Sequence, residues 1–170
     1  MLASLLCAAV LSMGLPRAEY ACRYMTTVVK ASAKYDLEPE ILVALIHEES
    51  RWKPWAVSSA GACGLTQVLP KYTDPPKLCK ELKKPYVSIR LGAKTLNYWV
   101  YEYGDGDYEK GLCGYNGGYK CGKRSRYYSK RIMRLARKIN ASVANERAYR
   151  NLLKNLNLKI NIPTDRSKNQ

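Results

Sequence analysis

The stretch EILVALIHEESRWKPWAVSSAGACGLTQVLP, residues 40–70, decides how the rest of the chain is read. Its first third is apolar without period-two alternation, and Pro39 stands where a first helical turn tolerates a missing N–H, so residues 41–50 read as a short helix. At 100° per residue, with Leu42 at zero, Leu45 falls near about 300°, Ile46 near about 40° and Glu49 near about 340°. Glu49 therefore lies inside the apolar stripe, and Glu48, near about 240°, at its edge. A carboxyl facing apolar groups loses hydration when it ionises, so its pKa should rise, as a general acid working near neutral pH requires. The same position also suits a buried glutamate that accepts hydrogen bonds from loop N–H groups, and the wheel does not choose between the two. His47, near about 140°, is expected on the surface.

After the helix come Pro54, Ser58, Ser59, Gly61 and Gly64, the punctuation of a loop over 53–65. Gly61 and Gly64 allow the backbone to approach a partner closely. Ser58, Ser59, Thr66 and Gln67 supply neutral hydrogen-bonding groups suited to a polyol. Trp52, Trp55 and Trp99 offer flat faces for sugar rings, or side chains for the core.

Outward from this stretch the pattern is helical throughout. Residues 20–34 read as a helix broken at Asp36, and a Pro-rich loop covers 70–77. Pro85 opens a long helix that runs to Gly104, and 107–115 reads as a short one ended by Asn-Gly-Gly at 116–118. From 124 to 156 the chain is helical again, with Ile132, Leu135, Ala136, Ile139 and Val143 as its core stripe. The tail beyond Ile162 reads as disordered. No strand-period alternation or internal repeat appears, so the fold class is all-α. A chain of 170 residues suits one domain.

Charge is unevenly placed. Residues 120–170 hold 15 Lys/Arg against Glu146 and Asp165, whereas residues 1–119 hold 14 bases and 12 acids. A nearly neutral body thus carries a basic C-terminal segment, which suits an anionic polymer or membrane surface, or else only keeps a helix face soluble. No aromatic-basic motif accompanies the charge, which argues against nucleic acid.

Residues 1–19 begin with the apolar run MLASLLCAAVLSMGL, too short to span a bilayer comfortably, and read as an export signal with a cut after Gly14 or Ala18. The competing reading is a retained anchor or buried segment. Without Cys7 five cysteines remain, which leaves one thiol free or paired between chains; Cys113 and Cys121 could close a short loop. One histidine and no metal-type C-x-x-C mean that no zinc site, and no cofactor, is expected. Disulfides suit an oxidising compartment, periplasm or cell exterior.

Three blocks resemble the catalytic domain of soluble lytic transglycosylases. They are Glu49-Ser50 with the Trp-x-Pro-x-Ala-Val-Ser run to Ser58, Gly61-Ala62-Cys63-Gly64-Leu65-Thr66-Gln67, and Tyr115-Asn116-Gly117-Gly118. A weaker fourth block falls at Tyr127/Tyr128. The resemblance covers about 20–140, the expected catalytic domain, and leaves 141–170 as a basic helix extension and tail. It implies a lysozyme-like helical fold of the goose-type kind and cleavage of peptidoglycan glycan strands at the bond from N-acetylmuramic acid to N-acetylglucosamine. Glu49 would act as acid and then base, leaving a 1,6-anhydro end. Ser58 would lie near the acetamido group, Gln67 and Asn116 would bind glycan, Tyr115 would hydrogen-bond near Glu49, and Tyr128, or Tyr127, would complete the pocket. Thr66 stands where the family usually has Met, a change expected to alter packing against the sugar. Gly114 replaces the usual Ala, which reads as mild.

Two other functions fit the same residues. A goose-type muramidase would use water and a second carboxylate, for which Asp74, Asp105 and Asp107 are the loop candidates. A non-catalytic wall-binding protein would keep the fold and anchor an assembly. Enzymes of this kind serve secretion systems, conjugation and phage entry or exit, and the sequence does not choose among them.

Overall fold

The computed structural model describes residues 1–155. Seven α-helices follow one another: α1 Leu2–Ser12, α2 Ala18–Lys34, α3 Pro39–Ser50, α4 Cys79–Leu82, α5 Pro85–Asn97, α6 Tyr108–Gly117 and α7 Lys123–Asn155. Among the described residues the only β features are two isolated bridges, Val57 with Cys63 and Cys63 with Val68, inside the loop after α3. The expected tail beyond Ile162 lies outside the described residues.

The all-α expectation holds, and the packing follows from α3. Every residue from Ile41 to His47 is buried, so this helix is ringed by its neighbours and has no solvent face. His47 is accordingly buried, against the expectation that it sits on the surface. Periodicity assumes one buried side, and a central helix breaks that assumption. Helices α2 and α7 pack directly on α3, and with α5 and α6 they add Met25, Val28, Ile89, Leu96, Leu112, Ile132 and Ile139 to one core. Each such side chain contributes about 1.5–3 kcal/mol through removal from water.

The run that reads as an export signal forms α1, which buries Leu5, Leu6, Ala9 and Val10. It lies antiparallel on the C-terminal half of α7, with Ser12 beside Ser142 at 3.2 Å and Arg150 donating to Ser4 Oγ at 3.0 Å. Cys7 is bonded to Cys22 of α2. The expected odd thiol is therefore absent: Cys63 pairs with Cys79, Cys113 with Cys121, and no cysteine is free. The count became odd only because Cys7 was set aside with the leader. No helix among the described residues is long and apolar enough to cross a membrane.

The long helix expected from Pro85 to Gly104 is interrupted. Regular α-helix ends at Asn97, and Tyr98–Tyr103 continues as a π-helical turn. The extra residue in that turn re-aims Tyr98, Trp99 and Tyr103, a distortion common at functional surfaces.

Candidate active site

Glu49 sits on the last turn of α3, before Arg51 and Trp52 reverse the chain in left-handed conformations. Trp52 is fully buried and locks that turn, whereas Trp55 is 56% exposed. The Glu49 carboxylate accepts a hydrogen bond from the Tyr128 hydroxyl at 2.5 Å, across 79 residues of sequence. Burial pushes the Glu49 pKa up to about 7; the Tyr128 bond opposes that shift, and the neighbouring Glu48 charge adds to it. Tyr128 itself is held well above the ordinary tyrosine value, by burial first and then by the Glu49 charge, so it remains a donor at any working pH. Of the two tyrosines weighed, Tyr128 is buried against Glu49 and Tyr127 is 62% exposed.

Glu48, one residue earlier, leaves the interior and pairs with Arg131 of α7. Arg131 also lies over the Tyr127 ring, 5.4 Å from its centroid. His47 is held down to about 4 by burial and by the charge of Arg51, whose guanidinium meets its Nε2. It is neutral at physiological pH and faces away from Glu49 on the wheel. Sequence reasoning placed no role on it, and the geometry gives it a packing role.

The loop after α3 is pinned by close approach. Gly64 has φ +79, and a Cβ there would stand 2.0 Å from the Leu82 carbonyl oxygen, so only glycine fits. Thr66 follows, fully buried, with its hydroxyl bonded to the Ser88 carbonyl at 2.9 Å. The reading of Thr66 as a hydrogen-bonding group for a polyol is thus corrected: its side chain points into α5, because Ser88 offers a polar partner there. Its carbonyl accepts from the Tyr115 hydroxyl at 2.7 Å. Tyr115 is therefore bonded to the loop rather than to Glu49, although it lies close enough for the Glu49 charge, after burial, to raise its pKa well above the usual value.

Gln67 and Asn116 face one cavity of about 680 Å³, which also takes in Leu69, Tyr72, Lys94, Tyr98, Trp99 and Tyr119. Both hydrogens of the Gln67 amide are used, on Ala56 O at 3.1 Å and Gly64 O at 2.9 Å, so its carbonyl oxygen is the group left for a ligand. Asn116 is arranged in the opposite sense. Its Oδ1 accepts from Ser125 Oγ at 2.9 Å, which leaves the Nδ2 donor. One acceptor and one donor at fixed places suit a hydroxyl- and amide-bearing sugar. Ser125 was not singled out from sequence; a serine three residues before a tyrosine carries no local signal. Glu49 is not itself in the cavity wall; Tyr115, which is, stands close enough to feel its charge.

Opposite lies an aromatic wall. Trp99 makes edge-on contacts with Tyr98, Tyr103 and Tyr119 at centroid distances of 5.1–5.4 Å. The Tyr98 and Tyr119 hydroxyls meet at 2.5 Å. A Cβ on Gly114 would stand 2.4 Å from Trp99, so the Ala-to-Gly change is not mild here: it makes room for the indole. The Cys113–Cys121 bond clasps the segment that carries Asn116 and Tyr119.

Ser58 is exposed, and its Oγ accepts from Ala62 N at 3.0 Å within a tight turn beside Gly61. Of the carboxylates named as candidates for activating water, Asp107 is occupied as the N-cap of α6. Asp74 lines the cavity and pairs with Lys94 at 3.9 Å, and Asp105 sits in a left-handed turn. Among the described residues no cluster of three His, Cys, Asp or Glu could hold a metal ion.

Comparison with known proteins gives a consistent picture. The family model for the transglycosylase SLT domain matches residues 26–135. A membrane-bound lytic murein transglycosylase C of Actinobacillus pleuropneumoniae serotype 5b (strain L20) is 39% identical over 49 residues, 29% of this chain and 13% of that protein. A protein named transglycosylase from Enterobacteria phage PRD1 is 29% identical over 117 residues, 67% of this chain and 43% of that one. Among solved structures, an inactive mutant of the lytic transglycosylase Slt from Pseudomonas aeruginosa superposes with a TM-score of 0.61 at 20% identity, over 79% of this chain and 24% of that one. The chain thus spans less than half the length of each of these relatives.

Proposed function

Because the chain belongs to the transglycosylase SLT-domain family, we propose that it is a peptidoglycan lytic transglycosylase in which Glu49 carries out both proton transfers. Neutral Glu49 protonates the oxygen of the β-1,4 bond between N-acetylmuramic acid and N-acetylglucosamine, the C1–O bond breaks, and the N-acetylglucosamine side leaves as an alcohol. The substrate's acetamido group stabilises the charge at C1. Glu49, now a carboxylate, removes the proton of the muramyl C6 hydroxyl; that oxygen bonds to C1 and closes the 1,6-anhydro ring. The proton is back on Glu49, and no water is consumed.

The observation that carries this reading is the Glu49 carboxyl buried at the end of α3 with one tyrosine hydroxyl bonded to it, a setting that pushes its pKa up to about 7. A group with that value gives and takes a proton at neutral pH with nearly equal ease. Tyr128 keeps the carboxyl aimed while leaving its other oxygen for the substrate. Gln67 and Asn116 bind the glycan, Tyr115 holds the loop that borders it, and Ser58 stands near the acetamido group.

Three disulfides support a place outside the reducing cytoplasm, in the periplasm or at the wall. The basic residues from 120 onward suit an anionic surface or polymer, and a role in secretion, conjugation or phage passage follows the same logic of opening the wall locally.

A goose-type hydrolase is the second reading, favoured by Asp74 in the cavity wall. Mass spectrometry of digested sacculi tests both. Anhydromuramyl ends support the transglycosylase, and reducing muramyl ends support the hydrolase. If Glu49→Gln protein lyses purified sacculi as fast as the parent, neither catalytic reading survives and a wall-binding protein remains.

A further inference from the structure

On the outer side of α7 the charge follows a boundary that a merely solubilising face does not need. At 100° per residue, all eight Lys and Arg between Lys123 and Lys138, together with Tyr127, fall within one arc of about 160°. Every one of them is exposed. Ser125, Tyr128, Ser129, Ile132 and Ile139 occupy the opposite arc and are buried. No acidic residue stands between Glu109 and Glu146. Arg131 alone of the eight meets a carboxylate, that of Glu48.

Beyond Lys138 the outer arc turns neutral: Ala141, Asn145, Ala148, Tyr149 and Leu152 take the positions the cations held. A face kept soluble by charge mixes signs and runs the helix length. This one is of single sign and stops after roughly 24 Å, the extent of 16 residues at 1.5 Å each. Its first turns wall a shallow cavity of about 640 Å³ formed by Lys123, Arg124, Arg126, Tyr127 and Lys130.

The position is as informative as the charge. The same turns that present these cations outward hold the cleft inward, Ser125 through Asn116 and Tyr128 through Glu49. Arg131 bridges the two sides by way of Glu48, next to Glu49 in sequence. The basic face therefore begins about one helix diameter, roughly 10 Å, from the cleft. A glycan strand in that cleft is uncharged along its N-acetyl sugars, but the peptides that hang from its muramyl units carry free carboxylates.

We propose that this face of α7 holds the carboxylate-bearing stem peptides of the strand lying in the cleft, a second contact to the same substrate. The proposal rests on the peptidoglycan reading above. It narrows the anionic partner from the whole basic segment to residues 123–138, and from any polyanion to one. A membrane surface calls for apolar side chains that insert, and this arc offers only Tyr127. Single-stranded nucleic acid calls for a series of stacking aromatics, which is also lacking.

The test titrates Glu49→Gln protein, chosen to bind without cutting, with soluble glycan strands that bear peptides or have been stripped of them by an amidase, the lactyl carboxylates so freed being capped as methylamides. A second protein adds Lys123→Gln, Arg124→Gln, Lys130→Gln and Arg134→Gln, and a control adds Arg147→Gln and Lys154→Gln. The four-site variant should bind peptide-bearing strands roughly tenfold more weakly at low salt, with the gap closing as salt rises. Stripped strands should bind both proteins alike, and the control should match its parent. Equal loss on stripped strands, or no loss on intact ones, overturns the proposal. So does tighter binding at equal salt to duplex DNA or to phosphatidylglycerol vesicles than to peptide-bearing strands. Because the readout is binding by an inactive protein, a failure to find anhydro products removes the catalytic reading and leaves this result standing.

Discussion

The interior around Glu49 and the rim around Glu48 are built from adjacent residues and follow opposite electrostatic rules. Glu49 is screened from water, bonded to a neutral phenol and held near neutral pKa. Glu48 meets a guanidinium at the edge of a basic face. The carboxylate given a cation is a structural tie; the buried one given only a tyrosine can exchange its proton. One step along a helix, about 100° of rotation, separates the two roles.

The largest expected effect breaks the interior. Glu49→Gln should reduce release of soluble muropeptides from sacculi by at least about 100-fold, in keeping with loss of general acid–base catalysis. The same change should raise stability at alkaline pH. The folded pKa lies above the unfolded one, so the native state holds more protons and stability falls as pH climbs from 4.5 to about 7. Glutamine removes that loss, worth about 3 kcal/mol at most, and thermal unfolding at pH 8 compared with pH 4.5 reads it directly.

Next is Tyr128→Phe. Its hydroxyl lowers the Glu49 pKa, so removing it should move the Glu49 limb of the pH–rate profile upward and cut the rate about tenfold. A profile that keeps its midpoint would show that Tyr128 only fills space.

A smaller effect is expected at the cavity wall. Ser125→Ala frees the Asn116 amide to turn and should raise KM a few-fold with kcat nearly unchanged, since one hydrogen bond contributes about 1 kcal/mol. Ser125→Thr keeps the hydroxyl and should restore KM. Equal loss in kcat and KM in both variants would point to damaged packing instead.

The smallest concerns the rim. Arg131→Ala opens the Glu48 pair, in which the guanidinium is exposed and the carboxylate largely covered, and a pair at such an edge contributes on the order of 1 kcal/mol to stability. Thermal unfolding should shift by only a few degrees, and the Glu49 limb should move little. A large upward move of that limb would mean that Arg131 screens Glu49 as well, and the contrast between the two glutamates would be weaker than drawn here.

What was legible in the sequence depended on how local its cause was. The helix of Glu49 could be read from Pro39 and the apolar period, and its carboxyl could be placed inside the stripe by angle alone. His47 was misplaced because the same arithmetic assumes a solvent side that α3 lacks. Thr66 reads as a free hydrogen-bonding group because its partner Ser88 lies 22 residues away, on α5. Tyr128, Ser125 and Arg131 reach the site from α7 across spans that leave no periodic trace, so Tyr128 was named only through the resemblance and the other two not at all. Cysteine pairing failed on parity, since one misjudged residue changed the count for all the others.

The clasp between α1 and α7 bears on where this protein can be cut. The family match ends at residue 135 and begins at 26, yet Val143, Leu153, Leu5, Leu6 and Val10 are buried outside those limits. A fragment trimmed to the family boundaries would open an apolar seam along the back of α7 and lose the whole Cys7–Cys22 bond. The unit defined by resemblance is therefore smaller than the unit that can be transplanted. A fusion or a minimal enzyme made from this chain needs both flanking helices to remain attached.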